Sequence, residues 1–375
     1  MKEIARMRLW GMIRKESLQI LRDPSSISIA FVMPVVLLFL FGYGVSLDAK
    51  DIPVGIVIEQ PDTASDAFAG TFDRSEFFSP QRFESIQQAQ RALDERHIDA
   101  IVWLRSDFSD RLFSGEQAPI GVIVNGVDSN QANITKGYIE GAWLAWLSHF
   151  ARAQGHELPL PVTLEQRVWF NAALSSRLFL VPGLIAIIMT LIGSLLTAMV
   201  VAREWERGTM EALLATPLRM SEMLAGKLIP YFVLGMGGML FSVALAVWQF
   251  DVPLRGSFWL LMLSSALFML VALAIGLLIS VVAKNQFVAG QVAIIATFLP
   301  AFILSGFLFD IHSMPAPIQA ITYLIPARYF VAILQTLFLA GDVWSVVLLN
   351  MAALLAMLIF FSILVWKKTG RGLAS

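Results

Sequence analysis

Six windows of the chain, approximately 26 to 47, 178 to 201, 228 to 249, 258 to 283, 286 to 309 and 343 to 366, contain no Asp, Glu, Lys or Arg. A helix needs roughly 20 consecutive apolar residues to cross a bilayer core, and each window reaches that length. Lipid offers the backbone no hydrogen-bond partners, so such segments must be helices that satisfy their own amides. Composition agrees, with 57% of the 375 residues hydrophobic and 15% charged, against about 25% charged in soluble domains. These windows predict a polytopic membrane protein. The first is too long for a signal-peptide core, and Tyr43-Gly44-Val45-Ser46-Leu47-Asp48 only loosely matches a cleavage site, so it reads as an uncleaved span.

Orientation follows from the positive charges in the short flanks. Lys2, Arg6, Arg8, Arg14, Lys15 and Arg22 precede the first window, and Lys367, Lys368 and Arg371 follow the sixth. Arg203, Arg207, Arg219 and Lys227 join the second and third, and Lys284 joins the fourth and fifth, while the opposite loops hold only Arg255 and Arg328. Both termini are therefore expected in the cytoplasm and residues 48–177 outside it. Residues 318 to 340 carry one charge, Arg328, and hydropathy alone allows a seventh span there. That crossing would reverse the C-terminal charges and put Pro326 in mid-helix. A re-entrant hairpin over 311–341, two short helices meeting near Pro326, is the expectation.

The predicted architecture is mainly α, with six transmembrane helices, a re-entrant hairpin before the last, and an inserted extracytoplasmic α/β domain. Residues 1–25 form a basic helix lying on the membrane. Wound at 100° per residue, Leu9, Trp10, Ile13, Ile20 and Leu21 share one arc and Arg8, Lys15, Glu16, Gln19 and Arg22 the other, with Arg6 and Arg14 off the division. After the span at 26–47, the insert at 48–177 holds eleven basic residues and clear turn signals. Ile52–Ile58, Ile98–Leu104 and Ile120–Val124 read as strands, with helices over Ala64–Phe72, Ser85–Glu95, Asp107–Phe113 and 129–152. Residues 178–375 hold the other five spans and a cytoplasmic loop at 202–227. In that loop Gly208 breaks one helix, Thr209 is placed to cap the next, and Pro217 ends it.

Chemistry-bearing patterns are sparse. His97, His149, His156 and His312 are scattered without metal-ligand spacing, and cysteine is absent, so no catalytic set and no metal site is expected. Gly226-Lys227 lacks the upstream glycine of a phosphate-binding loop. The net charge of −1 offers nucleic acid no general attraction. No ionisable residue falls mid-span, which argues against a gradient-driven carrier. Thr190, Ser194 and Thr197 line one face of the second span beside Gly193, and Gln286, Gly290 and Thr297 lie near one stripe of the fifth. Small polar stripes of this kind ordinarily let helices pack closely, and here they are also the candidate lining of a path for amphipathic cargo.

The segment Arg203-Glu-Trp-Glu-Arg-Gly-Thr-Met-Glu-Ala-Leu-Leu-Ala-Thr-Pro217 resembles the cytoplasmic loop motif of type-2 ATP-binding-cassette (ABC) exporter permeases. Arg22-Asp-Pro-Ser25, Phe41-Gly-Tyr-Gly44, Ser305-Gly306 and Leu324-Ile-Pro-Ala-Arg-Tyr-Phe330 are similar to further signatures of its multidrug-efflux branch, so the likeness runs along essentially the whole chain. It implies a half-transporter that pairs with itself or a sister permease above two cytoplasmic ATPase subunits. The chain itself would bind no cofactor, ATP and magnesium sitting on the ATPases. By the same resemblance Glu204, Glu206, Arg207, Gly208, Thr209, Glu211, Leu213 and Leu214 inherit coupling to the ATPase. The arm with Trp10, Ile13, Arg14 and Lys15 matches the family's connecting helix. Importers of the class carry a Glu-Ala-Ala loop with a following glycine, and Glu211-Ala212-Leu213 departs from it, which favours export. A periplasmic adaptor is a further partner the resemblance admits. The alternatives are a gradient-driven secondary transporter and a membrane-anchored ligand sensor.

Overall fold

The computed structural model describes residues 2–44, 51–114, 117–127, 129–153, 170, 175–209 and 220–371. The chain divides into two compact units, Met1–Ser46 with Val168–Ser375, and Leu47–Arg167. The first opens with α1 (Lys2–Leu21), followed at once by α2 (Pro24–Tyr43). Asp23 caps α2, accepting from the Ser25 amide at 3.1 Å and the Ser26 hydroxyl at 3.0 Å. Pro24 sits at the first helical position, where its missing N–H costs nothing.

The second unit is a four-stranded sheet with helices on both faces. In chain order it runs β1 (Ile52–Ile58), α3 (Thr63–Asp73), β2 (Phe78–Phe83), α4 (Ile86–Asp94), β3 (Ala100–Leu104), α5 (Phe108–Ser114), β4 (Ile120–Val124) and α6 (Ser129–Ala153). The strand order is β2-β1-β3-β4, with β1 parallel to both neighbours and β4 antiparallel. Val54, Ile56, Ala100 and Val102 pack with Phe68, Phe72, Phe108 and Trp146, while Val57 and Ile101 turn to Ala89 and Ala92 of α4. Two covered faces explain why the central strands read as unbroken apolar runs. Strand β2 escapes such a reading because it is an edge. Its sequence Phe-Ser-Pro-Gln-Arg-Phe places Pro80 opposite Val54, and proline is tolerated only where a strand has a free side. Asp62 and Ser65 form a reciprocal capping box at α3, with bonds of 2.8 and 2.9 Å.

The first unit resumes with α7 (Ser176–Glu206), α8 (Met220–Trp248), α9 (Phe258–Ala283) and α10 (Gln286–Leu304), then α11 (Ala316–Thr322), α12 (Pro326–Ala340) and α13 (Trp344–Arg371). Among the described residues six helices, α2, α7, α8, α9, α10 and α13, are long and apolar enough to cross a membrane. Helix α7 is the axis of the unit, its apolar window 89% buried against 11% for α13. Its 31 residues extend about 46 Å, well beyond the about 30 Å that a bilayer core requires. Close approach of α9 depends on Gly276, where a Cβ would stand 2.5 Å from the Ser194 carbonyl oxygen of α7. Helices α11 and α12 meet at 84°, with the break immediately before Pro326. Phe330 of α12 stacks on Phe268 of α9 with ring centroids 4.3 Å apart, anchoring the bent pair in the core.

Candidate functional site

One end of the helical unit gathers the start of α2 and α8 and the end of α7 beside α1. Successive residues on a helix point about 100° apart, so the four residues closing α7 diverge. Arg203 and Glu204 turn inward and are buried, Trp205 lies flat under the Lys284 ammonium at 5.0 Å, and Glu206 is exposed. Glu206 accepts from the Gln286 amide at 2.9 Å, tying α7 to the first residue of α10.

At the centre of this end is Lys227, near the start of α8, only 1% exposed. Its Nζ stands 2.7 Å from Glu16 Oε1 of α1 and 2.9 Å from Glu204 Oε1 of α7. Lys15 Nζ reaches the same two carboxylates, at 3.0 Å from Glu204 and 3.6 Å from Glu16. The cluster is therefore balanced, two ammonium groups on two carboxylates, as burial of charge requires. The Thr209 hydroxyl also donates to the Glu204 carboxylate. Around it, Arg203 Nη2 holds Asp23 at 3.2 Å and Arg8 Nη2 holds Glu222 at 3.4 Å. Three helices and the cap of a fourth thus meet through ion pairs.

Burial works against the ionised Asp23 carboxyl, yet the Ser25 and Ser26 hydroxyls and the Arg203 guanidinium prevail and hold its pKa below the ordinary value. Its ionised state is therefore bound up with the joint between α1, α2 and α7.

Glu204, to which the resemblance gives a coupling role, turns its carboxylate inward, where Lys227 and Lys15 supply compensating charge. Thr209 donates backward to Glu204, and the helix it is expected to cap lies outside the described residues. Gly208 adopts φ +67 in open space just after α7, the left-handed turn that ends the helix. Glu206, Arg207 and Gly208 are exposed, whereas Glu211, Leu213 and Leu214 lie outside the described residues. On α1 the expected apolar arc is displaced. Met12, Glu16 and Ile20 form the buried face, Ile13 is half-buried, and Trp10, Leu21, Arg14 and Lys15 are exposed. Glu16 changes sides because an ion partner waits inside, something no hydropathy pattern on α1 alone encodes.

The proposed path residues separate into two groups. Ser194 Oγ of α7 and Thr297 Oγ1 of α10 lie 2.6 Å apart and, with Thr190, line an otherwise apolar cavity of about 260 Å³ that reaches the α11–α12 break. Thr190, Ser194 and Thr297 each return a hydrogen bond to the carbonyl four residues earlier. Thr197 is buried against Gly276 instead, its hydroxyl without a partner among the described residues. Gln286 and Gly290 pack near Met199, toward the charged end.

The family model for the ABC-2 family transporter protein matches residues 24–367. A "Probable multidrug ABC transporter permease YbhS" of Escherichia coli strain K12 is 45% identical over 369 residues, covering 97% of this chain and 98% of that one. The same organism's "Probable multidrug ABC transporter permease YbhR" is 29% identical over 336 residues, covering 88% and 90%. Its "Inner membrane transport permease YhhJ" is 29% identical over 300 residues, 79% of each chain. A match across six apolar helices and the charged end they share leaves one assignment: the chain belongs to the ABC-2 family of transporter proteins, as a multi-pass permease of the ATP-binding-cassette class.

Proposed function

We propose that this permease is the membrane half of an ATP-driven exporter of hydrophobic or amphipathic, drug-like small molecules. Two separate cytoplasmic ATPase subunits would bind ATP and magnesium, and a second permease copy or a sister permease would complete the path. In this reading the protein lies in the inner membrane of a bacterial cell with both termini cytoplasmic, and residues 48–177 are extracytoplasmic, where a periplasmic adaptor would meet them. The bent pair α11–α12 would re-enter from the outer side. The names borne by the two multidrug relatives support the cargo class.

The observation that carries the mechanism is the Lys227 cluster. The loop that follows Glu206 returns to the bundle at α8, and both roots of that loop are bound to α1 through one ammonium group. A push on the loop therefore cannot tilt α7 without also moving α8 and α1, so the three would turn as a rigid block. Glu206, Arg207 and Gly208 are the exposed residues on which an ATPase would act. The apolar cavity at Ser194 and Thr297, about 260 Å³, lies below the roughly 300–1,000 Å³ of drug-sized sites. Rotation of α7 against α10 would have to enlarge it before cargo entered.

Gly208→Trp is the direct test. In the reconstituted complex it should abolish drug-stimulated ATP hydrolysis while membrane insertion stays normal. Full stimulation in that variant would remove the loop from the coupling route.

A further inference from the structure

Beside the ion cluster, α1, the Asp23-Pro24-Ser25 turn, the end of α7 and the first residue of α10 enclose an open groove of about 880 Å³. Five cationic side chains line it, Arg14, Lys15, Arg22, Arg203 and Arg207, against one carboxylate, Asp23. Lys15 and Arg203 are engaged by Glu204 and Asp23. No described carboxylate pairs with Arg14, Arg22 or Arg207, so the groove holds a net positive charge. Arg203 adds a second, independent sign of a missing ligand. It is only 7% exposed, and its Nε–H is buried with no partner among the described residues, a donor left short in a place where that is costly. Leu18 lines the groove, and Leu21 and Phe287, both exposed, are the chain neighbours of its lining residues Arg22 and Gln286, so apolar side chains accompany the cations. The site lies where the chain passes from α1 into α2, the first apolar helix, so with α2 crossing a bilayer it falls at headgroup depth.

We infer that this groove binds the phosphodiester headgroup of an anionic glycerophospholipid, with the acyl chains lying along the apolar margin. The chemistry favours such a ligand over a soluble anion because the cations and the exposed apolar side chains are contiguous. Arg14, Arg22 and Arg207 would neutralise the phosphate, and Arg203 would hold it against the α1–α7 joint. The bound lipid would then brace the block that contains Lys227. The inference depends on the apolar helices crossing a bilayer, and on neither the cargo nor the ATPase reading, so a failed transport assay leaves it standing.

The test is native mass spectrometry of the full chain, purified from vesicles of phosphatidylcholine with or without phosphatidylglycerol. The wild-type protein should retain phosphatidylglycerol in preference to phosphatidylcholine. An Arg14→Gln/Arg22→Gln double variant should retain it at least about tenfold less. An Arg14→Lys/Arg22→Lys variant should keep most of the binding, which separates lost charge from a misfolded arm. Equal retention of both lipids, or unchanged retention in the glutamine variant, would overturn the assignment. Displacement of the lipid by inorganic phosphate or ATP at millimolar concentration would reassign the groove to a soluble anion. Unaltered lipid binding with lost ATPase association in the glutamine variant would reassign it to an acidic protein surface.

Discussion

The two units of this permease treat charge in opposite ways. In the inserted α/β unit the ion pairs lie outside the core. Arg82 bridges Asp66 at 3.3 Å and Asp73 at 3.5 Å with all three side chains about half exposed, and Arg111 holds Asp107 from the neighbouring turn. Such pairs stabilise by about 0–1 kcal/mol, because water solvates the same charges nearly as well. In the helical unit the strongest pairs are internal, Lys227 and Glu16 each being 1% exposed. The difference teaches where specificity comes from. The α/β unit is held in register by its alternating apolar faces and its capping box. The helical unit has apolar surface on every side, so hydropathy alone leaves helix rotation loosely defined. Ion pairs at one end fix which faces of α1, α7 and α8 meet.

The sharpest way to break this contrast is to remove one cation from each unit. Lys227→Met would leave the buried Glu16 and Glu204 to share the half-exposed Lys15 alone and should destabilise the helical unit by about 3–5 kcal/mol. It should also detach ATP hydrolysis from transport in any assembly that survives. Arg82→Met in the α/β unit should change stability by less than about 1 kcal/mol. Thermal unfolding of both variants in the same detergent checks the pair, and equal effects would erase the distinction.

A smaller effect belongs to the capping box. Asp62→Ala removes the side chain that receives the Ser65 amide and should cost the α/β unit about 1 kcal/mol, with Asp62→Ser restoring most of it. Chemical denaturation followed by fluorescence reads this directly.

The smallest effect is a pH dependence. Asp23 has its pKa lowered in the folded protein, so its contribution is complete above the ordinary carboxylate value of 3.8. It is lost as pH falls through the depressed folded value. Proteolysis at Arg22 should accelerate in acid as the α1–α2 joint loosens, and Asp23→Asn should show that faster cleavage already at neutral pH. Identical cleavage profiles for the two proteins would detach Asp23 from the joint.

Much of the architecture was legible because it depends on local composition. Each apolar window corresponds to a helix, since uncharged runs of that length have no other way to satisfy their backbone. The strands β1, β3 and β4 announced themselves as β-branched apolar runs between turns. Strand β2 did not, because an edge strand carries proline and polar side chains without penalty. Gly208 is legible as the end of α7 from its place after a charged helix, and Ser194 as one of a row of small polar residues on a face of α7 from its spacing. In the sequence Lys227 is one more positive charge on a flank, in no phosphate-binding loop, and Glu16 is part of a polar arc. Their signal exists only as a pair drawn from positions 211 residues apart.

By itself, then, the sequence determined the number and length of the apolar helices, the inserted domain with its alternating strands and helices, and the family that the loop motif suggested. Tertiary structure alone decided that α7 is the axis, that α1 turns Glu16 inward, and that the charged residues closing α7 divide between an internal cluster and an exposed surface. The reason is physical. Burial of apolar surface is governed by how many such residues a segment holds, whereas the pairing of two charges is governed by distance, and distance between remote residues is set only when the helices pack.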